Sequence, residues 1–116
     1  ENVIGQICGG VAMGLGFAVM EAFVPGKTES MKDYHIPTSA DMPAVVPIIV
    51  EDAEPTGPFG AKGVGEPALI PTAPAIVNAL SAALGQRIHT LPASLERVLA
   101  ASIKSGHFGP REANHA

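Results

Sequence analysis

Residues 3–23, VIGQICGGVAMGLGFAVMEAF, contain five glycines and a single charged residue, Glu21. Glycine in a helix costs roughly 0.5–1 kcal/mol per position relative to alanine. A helix built from this stretch is therefore expected only if something must come very near it, either another backbone or a bulky ligand. The length is close to the ~20 residues that cross a bilayer. The small-residue pairs Gly5/Gly9 and Gly10/Gly14 also suit helix packing in lipid. Against a membrane span stand Glu1, Asn2, Gln6 and Glu21, and the weak hydrophobicity of the glycines. The expectation is a buried helix with glycine-mediated close contacts, no membrane partner and a cytoplasmic location.

The chain has 116 residues, which bounds it to one domain at most. Hydrophobic residues make up 47% and charged ones 16%, the latter below the usual quarter. With 13 glycines and 11 prolines the chain is turn-rich, but it lacks collagen's period and is too apolar for a disordered tail. Seven Lys and Arg against eleven Asp and Glu give a net charge of -4, which argues against a nucleic-acid partner. Aromatics at 4%, with no Trp, argue against base-stacking platforms. The single cysteine, Cys8, excludes an internal disulfide, an iron–sulfur cluster or a Cys-based zinc site within this chain. The start at Glu1 suggests a fragment, a processed product or a trimmed piece. No basic region precedes the apolar stretch, so no signal peptide is expected.

Residues 24–44 read as loop, with Pro25-Gly26, Pro37 and Pro43. Residues 45–51, VVPIIVE, are β-branched and predict a short strand, which Pro47 confines to a sheet edge or a bulge. Residues 52–71 form a Gly/Pro-rich loop. In 72–84, Ile76, Val77, Leu80, Ala83 and Leu84 form one helical stripe. Thr72 is the expected N-cap, Pro74 is tolerated in the first turn, and Gly85 is a natural stop. In 94–104, Ser94 is the expected cap and Leu95, Val98, Leu99 and Ile103 the buried face. Residues 1–104 then form one α+β unit, a glycine-rich helix, short strand or strands and two C-terminal helices, with a flexible tail over 105–116. One short strand cannot make a sheet alone, so it is expected to pair with segments outside the chain.

The stretch that carries chemistry is Gly57-Pro-Phe-Gly-Ala-Lys-Gly-Val-Gly-Glu-Pro67. Its glycines predict a loop with unusual dihedrals and exposed amides, able to cradle an anion. It is not a phosphate-binding P-loop, because Lys62 precedes Gly63 rather than Ser or Thr. Nor is it a dinucleotide fingerprint. Glu66, between Gly65 and Pro67 and ahead of an apolar run, is expected in a poorly solvated place, where a carboxylate becomes a better base. A helix-capping or surface glutamate fits the same residues. Lys62 fits a phosphate contact, a carboxylate partner or a solvated side chain. Asp52 and Glu54, beside Pro55, read as a solvated turn.

Gly60-Ala-Lys-Gly-Val-Gly-Glu-Pro67 resembles a signature near the C-terminus of the molybdenum hydroxylases, the xanthine dehydrogenase and aldehyde oxidoreductase family. Gly5-Gln-Ile-Cys-Gly-Gly10 resembles that family's Gly-Gln-Ile-x-Gly-Gly helix start. Tyr34-His-Ile-Pro37 with Asp41-Met-Pro43, Ala73-Pro-Ala-Ile-Val-Asn-Ala79, and Leu91-Pro92 with Glu96-Arg-Val98 resemble further family segments in the same order, over roughly residues 2–103. The resemblance implies the last part of a molybdopterin-binding catalytic subunit. It implies that Glu66 is the active-site base, taking the proton from a hydroxide on molybdenum. The oxygen then attacks an electron-poor carbon of an aldehyde, purine or N-heterocycle, and a hydride passes to the metal's sulfido ligand. It implies that Gln6 hydrogen-bonds the molybdopterin, although a helix-start cap also fits this glutamine. Gly9 and Gly10 would open space for the cofactor. Gly63, Val64 and Gly65, with Lys62, would form the loop that approaches it.

Further implications are a molybdenum-molybdopterin cofactor, with or without a cytosine nucleotide (the cytosine dinucleotide form), held by the pterin's dithiolene with no protein metal ligand. The remainder of the subunit and separate iron–sulfur and FAD modules are the implied partners, so the isolated chain is expected to be inactive. Many relatives carry an acidic residue or His at the position of Cys8 and Gln at that of Met13, so polar contacts made there in relatives are in doubt here. His35, His89, His107 and His115 show no ligand spacing. A noncatalytic scaffold relative that binds no molybdenum is the alternative, and retention of Glu66 argues against it.

Overall fold

The computed structural model describes residues 1–106. Its regular elements are α1 (Asn2–Val19), a 3-10 turn (Pro58–Gly60), α2 (Thr72–Leu84) and α3 (Leu95–Lys104). Most of the expected tail over 105–116 lies outside the described residues.

The glycines of α1 have a local cause. A Cβ on Gly10 would stand 2.7 Å from Ala68 Cβ, and one on Gly14 would stand 2.5 Å from Thr72 Cβ. Positions four apart share a helix face, so these two glycines form a flat strip on which the lead-in and first turn of α2 lie. Gly5 and Gly9 differ: a Cβ on either would meet nothing within 4 Å. Close packing thus accounts for Gly10 and Gly14, and also for Gly16, where a Cβ would run into the Glu21 carboxylate and Pro37, and it leaves Gly5 and Gly9 facing open space.

α1 stops at Val19, where the Met20 and Glu21 amides both donate to the Gly16 carbonyl, at 2.9 and 2.8 Å. The last carbonyls of a helix lack intrahelical donors. The Ala18 carbonyl receives the Ala93 amide at 2.6 Å, which ties the α2–α3 connection to the end of α1. Ala18, Ala73, Val77 and Ala93 are the buried cluster at this junction, flanked by Val19, Ile76, Leu80, Ile88 and Val98.

α2 occupies the expected span and ends as expected. Gly85 adopts φ 63°, and the Gly85 and Gln86 amides close the helix on Ala82 and Ser81. Thr72 is not its N-cap. Its hydroxyl lies in the first turn and donates to the Ala68 carbonyl at 2.6 Å, because the turn through 67–71 already feeds the helix with backbone bonds from Leu69 and Ile70 to Glu66.

Two expectations are corrected. The structure is helical, and no β-strand forms among the described residues; the short strand expected at 45–51 runs without turn or bend but has no ladder partner. A strand's amides and carbonyls need a second strand to bond, and none lies alongside. The apolar stripe of α3 also faces outward. Leu95 is 79% and Ile103 57% exposed, while Ala101 and Ser102 are buried. α3 meets the rest of the chain through Ala101, Ser102 and the half-buried Val98, while Leu95, Leu99 and Ile103 stay exposed.

The radius of gyration is 18.9 Å, against about 13 Å for a compact 100-residue domain. The α1–α2 strip is thus the principal organising contact. Gly14→Leu should overpack it and destabilise the protein by about 1–3 kcal/mol. Gly9→Ala, with no neighbour to displace, should change stability by less than about 1 kcal/mol, in the stabilising direction. Thermal denaturation of the two variants checks the contrast; equal loss in both would show that the strip has been misplaced.

Candidate cofactor and active site

The α1–α2 strip sets the position of the glycine loop. Thr72 stands over Gly14 and Ala68 over Gly10. One turn further toward the start of α1, the chain before Ala68 reaches Gln6. Gln6 Oε1 lies 3.9 Å from where a Cβ on Gly65 would be. The glutamine and the Gly65-Glu66 pair, far apart in sequence, are neighbours.

The Gln6 side-chain amide makes no hydrogen bond among the described residues and is exposed. A Cβ on Gly63 would meet nothing within 4 Å. Gly63, Gly65, Glu66, Pro67 and Ile70 line an open pocket of about 310 Å³. Gly63 and Gly65 do not take positive φ; in this loop Phe59 and Gly60 do, at 55° and 75°. The unusual dihedrals expected across the loop are confined to that turn, so Gly63 and Gly65 are not required by backbone conformation. What their missing side chains leave is room.

Glu66 is exposed, so the poorly solvated setting expected for it is not produced by the described residues. Its carbonyl accepts the Leu69 and Ile70 amides at 2.9 and 3.3 Å, which anchors its backbone at the start of the turn into α2.

The other expected site residues separate. Gly9 borders open space, but the space beside Gly10 is filled by Ala68, so Gly10 serves helix packing here. Val64 faces a different groove, of about 460 Å³, with Val3, Ile7, Ile48 and Ile49. Lys62 Nζ pairs with Asp52 Oδ2 at 2.7 Å. Both side chains are well exposed, so the pair contributes little to stability; it does turn the lysine toward Asp52. Glu54 accepts from the Thr56 amide and hydroxyl, a solvated turn as expected, and these bonds hold its carboxyl below the usual range. Among the described residues no group of three His, Cys, Asp or Glu is placed to hold a metal.

One feature had no signal in the sequence. A groove of about 420 Å³ runs along α1 past Gly9, Met13 and Phe17, and Tyr34 and Glu21 also line it. The Tyr34 hydroxyl donates to Glu21 Oε2 at 2.6 Å. The two residues flank the Pro25-Gly26 turn, and no short motif joins them.

The residues fit a polar, planar group brought against backbone: an unpaired amide at Gln6, room at Gly5, Gly9 and Gly63, and a carboxylate at the loop's end. Residues 1–43 match the molybdopterin cofactor-binding domain family. The chain is 38% identical over 100 residues to a putative xanthine dehydrogenase molybdenum-binding subunit of Escherichia coli, covering 81% of this chain and 13% of the relative. It is 41% identical over 104 residues to an aldehyde oxidoreductase of Megalodesulfovibrio gigas, covering 84% of this chain and 11% of that protein. The crystal structure of quinoline 2-oxidoreductase from Pseudomonas putida superposes with a TM-score of 0.80 at 34% identity, covering 88% of this chain and 14% of that one. The class is thus a segment of a molybdopterin-binding protein. The chain belongs to the family of xanthine dehydrogenase and aldehyde oxidoreductase molybdenum-binding subunits, and it spans about one-eighth of the length of the relatives it matches.

α1 is 18 residues long with a mean hydropathy of 1.5, long and apolar enough by those measures to cross a membrane. Its docking on α2 through Gly10 and Gly14 accounts for two of its glycines without one.

Tyr34 is the only tyrosine and there is no Trp, so its titration can be read without overlap. The hydrogen bond to Glu21, then desolvation, then the Glu21 charge raise its pKa above the ordinary 10.0. The folded state binds this proton more tightly than the unfolded state. The stabilisation is therefore complete below pH 10 and is lost as pH rises through the folded value. Ultraviolet difference titration should show a phenol that ionises later than a free tyrosine, and Glu21→Ala should bring its ionisation down toward that of a free tyrosine. An unchanged midpoint in the variant would show that the two groups do not meet.

Proposed function

We propose that this chain is the C-terminal part of the molybdopterin-binding subunit of a molybdenum hydroxylase, and that it supplies one wall of the active site. The observation that carries this reading is the placement of the unpaired Gln6 amide beside Gly65 and Glu66, next to glycines whose missing side chains leave room. An amide both donates and accepts, so Gln6 can bind and orient the pterin. Gly9 and Gly63 admit it close to the backbone, and the turn from Glu66 into α2 fixes where the carboxylate starts.

When bound, the molybdenum pterin supplies a Lewis-acidic centre that takes up two electrons. Glu66 acts as the general base: its carboxylate accepts the proton of the water-derived nucleophile as that oxygen adds to an electron-poor carbon of an aldehyde, purine or N-heterocycle. A carboxylate does this near neutral pH best when partly desolvated. Glu66 is exposed in this segment, so the covering surface comes from the rest of the subunit. That is why the isolated chain is inactive in this reading. The remainder of the molybdopterin subunit, with iron–sulfur and FAD modules to carry the electrons away, completes a cytoplasmic oxidoreductase. Lys62, already paired with Asp52, and Val64, in the neighbouring groove, help to hold the loop. Gly10 contributes through the fit of α1 on α2.

Two variants in the assembled enzyme test this. Glu66→Gln keeps the shape of the side chain and removes the base. It should retain molybdenum and slow the reductive half-reaction by at least ~10²-fold; near-wild-type turnover would overturn the assignment. Gly9→Val should place a branched side chain in the open space beside α1 and lower molybdenum and pterin content while thermal stability is kept. Full cofactor content in that variant would remove Gly9 from the site.

A further inference from the structure

Residues 44–51, Ala-Val-Val-Pro-Ile-Ile-Val-Glu, run without turn or bend. None of their backbone amides or carbonyls makes a hydrogen bond among the described residues. Their exposure alternates with a period of two, as in an extended chain. Val46, Ile48 and Val50 are 81, 83 and 83% exposed, whereas Ile49 is 52% exposed and Val45 and Pro47 are half-buried. Ile49, with its neighbour Ile48, borders the groove along α1 that Val3, Ile7 and Val11 also line. The outer face is a row of bare β-branched side chains, a composition suited to a sheet.

The two backbone edges of this segment are not equivalent. In an extended chain the amide and carbonyl of one residue point to the same side, and those of the next residue point to the other. Val45, Pro47 and Ile49 share one edge, and Pro47 has no amide to offer. Val46, Ile48 and Val50 share the other, where every donor and acceptor is present. An unpaired run of this kind is a template for strand addition.

We infer that residues 45–50 receive a β-strand from the part of the subunit outside this segment, and that the strand pairs along the Val46, Ile48, Val50 edge. The occupant follows from length. The chain spans only 13% of the molybdenum-binding subunit it resembles, so most of such a polypeptide is available to fold against it. A covalently attached strand acts at an effective concentration in the millimolar range, which favours it over a second copy of the chain. The inference rests on the reading that this segment is part of a longer subunit. It adds which residues join the two parts and which backbone edge is used.

Residue-resolved hydrogen exchange on the full-length subunit in its assembly tests it. Exchange at Val46, Ile48 and Val50 should be at least about a hundredfold slower than at Val45 and Ile49, and unchanged on dilution. Rapid exchange at all five amides, protection of Val45 and Ile49 instead, or equal protection on both edges would overturn it. Protection lost on dilution would assign the edge to a second copy and would also overturn it. Molybdenum measured on the same sample separates this inference from the functional one. Stoichiometric molybdenum with rapid exchange defeats the strand alone. Protected amides in metal-free protein defeat the cofactor reading alone.

Discussion

Everything else in this segment depends on how closely α2 can approach α1. The contact is made where α1 has no side chains. Ala68 rests against Gly10 and Thr72 against Gly14, at separations that a Cβ at either position would violate. Because the chain reaches Ala68 directly from the glycine loop, this fit also carries Gly65 to Gln6. A larger residue at position 10 or 14 would lift the lead-in of α2 and draw the loop away from the glutamine. The cost of glycine in a helix is therefore offset by packing at Gly10 and Gly14, and at Gly16 against Glu21 and Pro37. Gly5 and Gly9 have no such compensation within the described residues, which is the physical ground for placing a ligand on their side of the helix.

The segment buries little apart from that seam. Its core is built of alanines and one valine, with Val98 and other aliphatics only partly covered. The bare faces are ordered ones: the outer stripe of α3, the outer row of residues 45–50, and the grooves along α1. Exposed apolar surface of this kind marks an interface. An extended run with unbonded amides marks one more sharply, because buried backbone groups need partners. These features agree with a chain that spans about one-eighth of its relatives' length.

Much of this was legible in the sequence, and the failures have a common cause. The helix at 72–84 and its stop at Gly85 were readable because periodicity and a left-handed cap are local signals. Gln6 and Glu66 were singled out through the resemblance of Gly5-Gln-Ile-Cys-Gly-Gly10 and Gly60–Pro67 to a family, and the structure sets Gln6 beside Gly65 of that loop. The strand at 45–51 was expected from β-branched residues, but strand formation depends on a partner that the pattern does not contain. The α3 stripe was expected inside for the same reason: apolar spacing identifies a face that wants cover, not what covers it. Gly10 was expected beside the cofactor, and Ala68 fills that space. Nothing in the spacing of glycines separates those that admit a helix from those that admit a ligand. The Tyr34–Glu21 bond spans a turn and has no sequence signature.

The most direct measurement is the metal content of the full-length protein. The subunit carrying this segment would be purified from its own cells with its partners and its molybdenum quantified by mass spectrometry. Molybdenum stoichiometric with the chain, co-purifying with the pterin, is the predicted result. A pure, metal-free and pterin-free protein would contradict the account, and Glu66 would then be a surface carboxylate at the start of a turn.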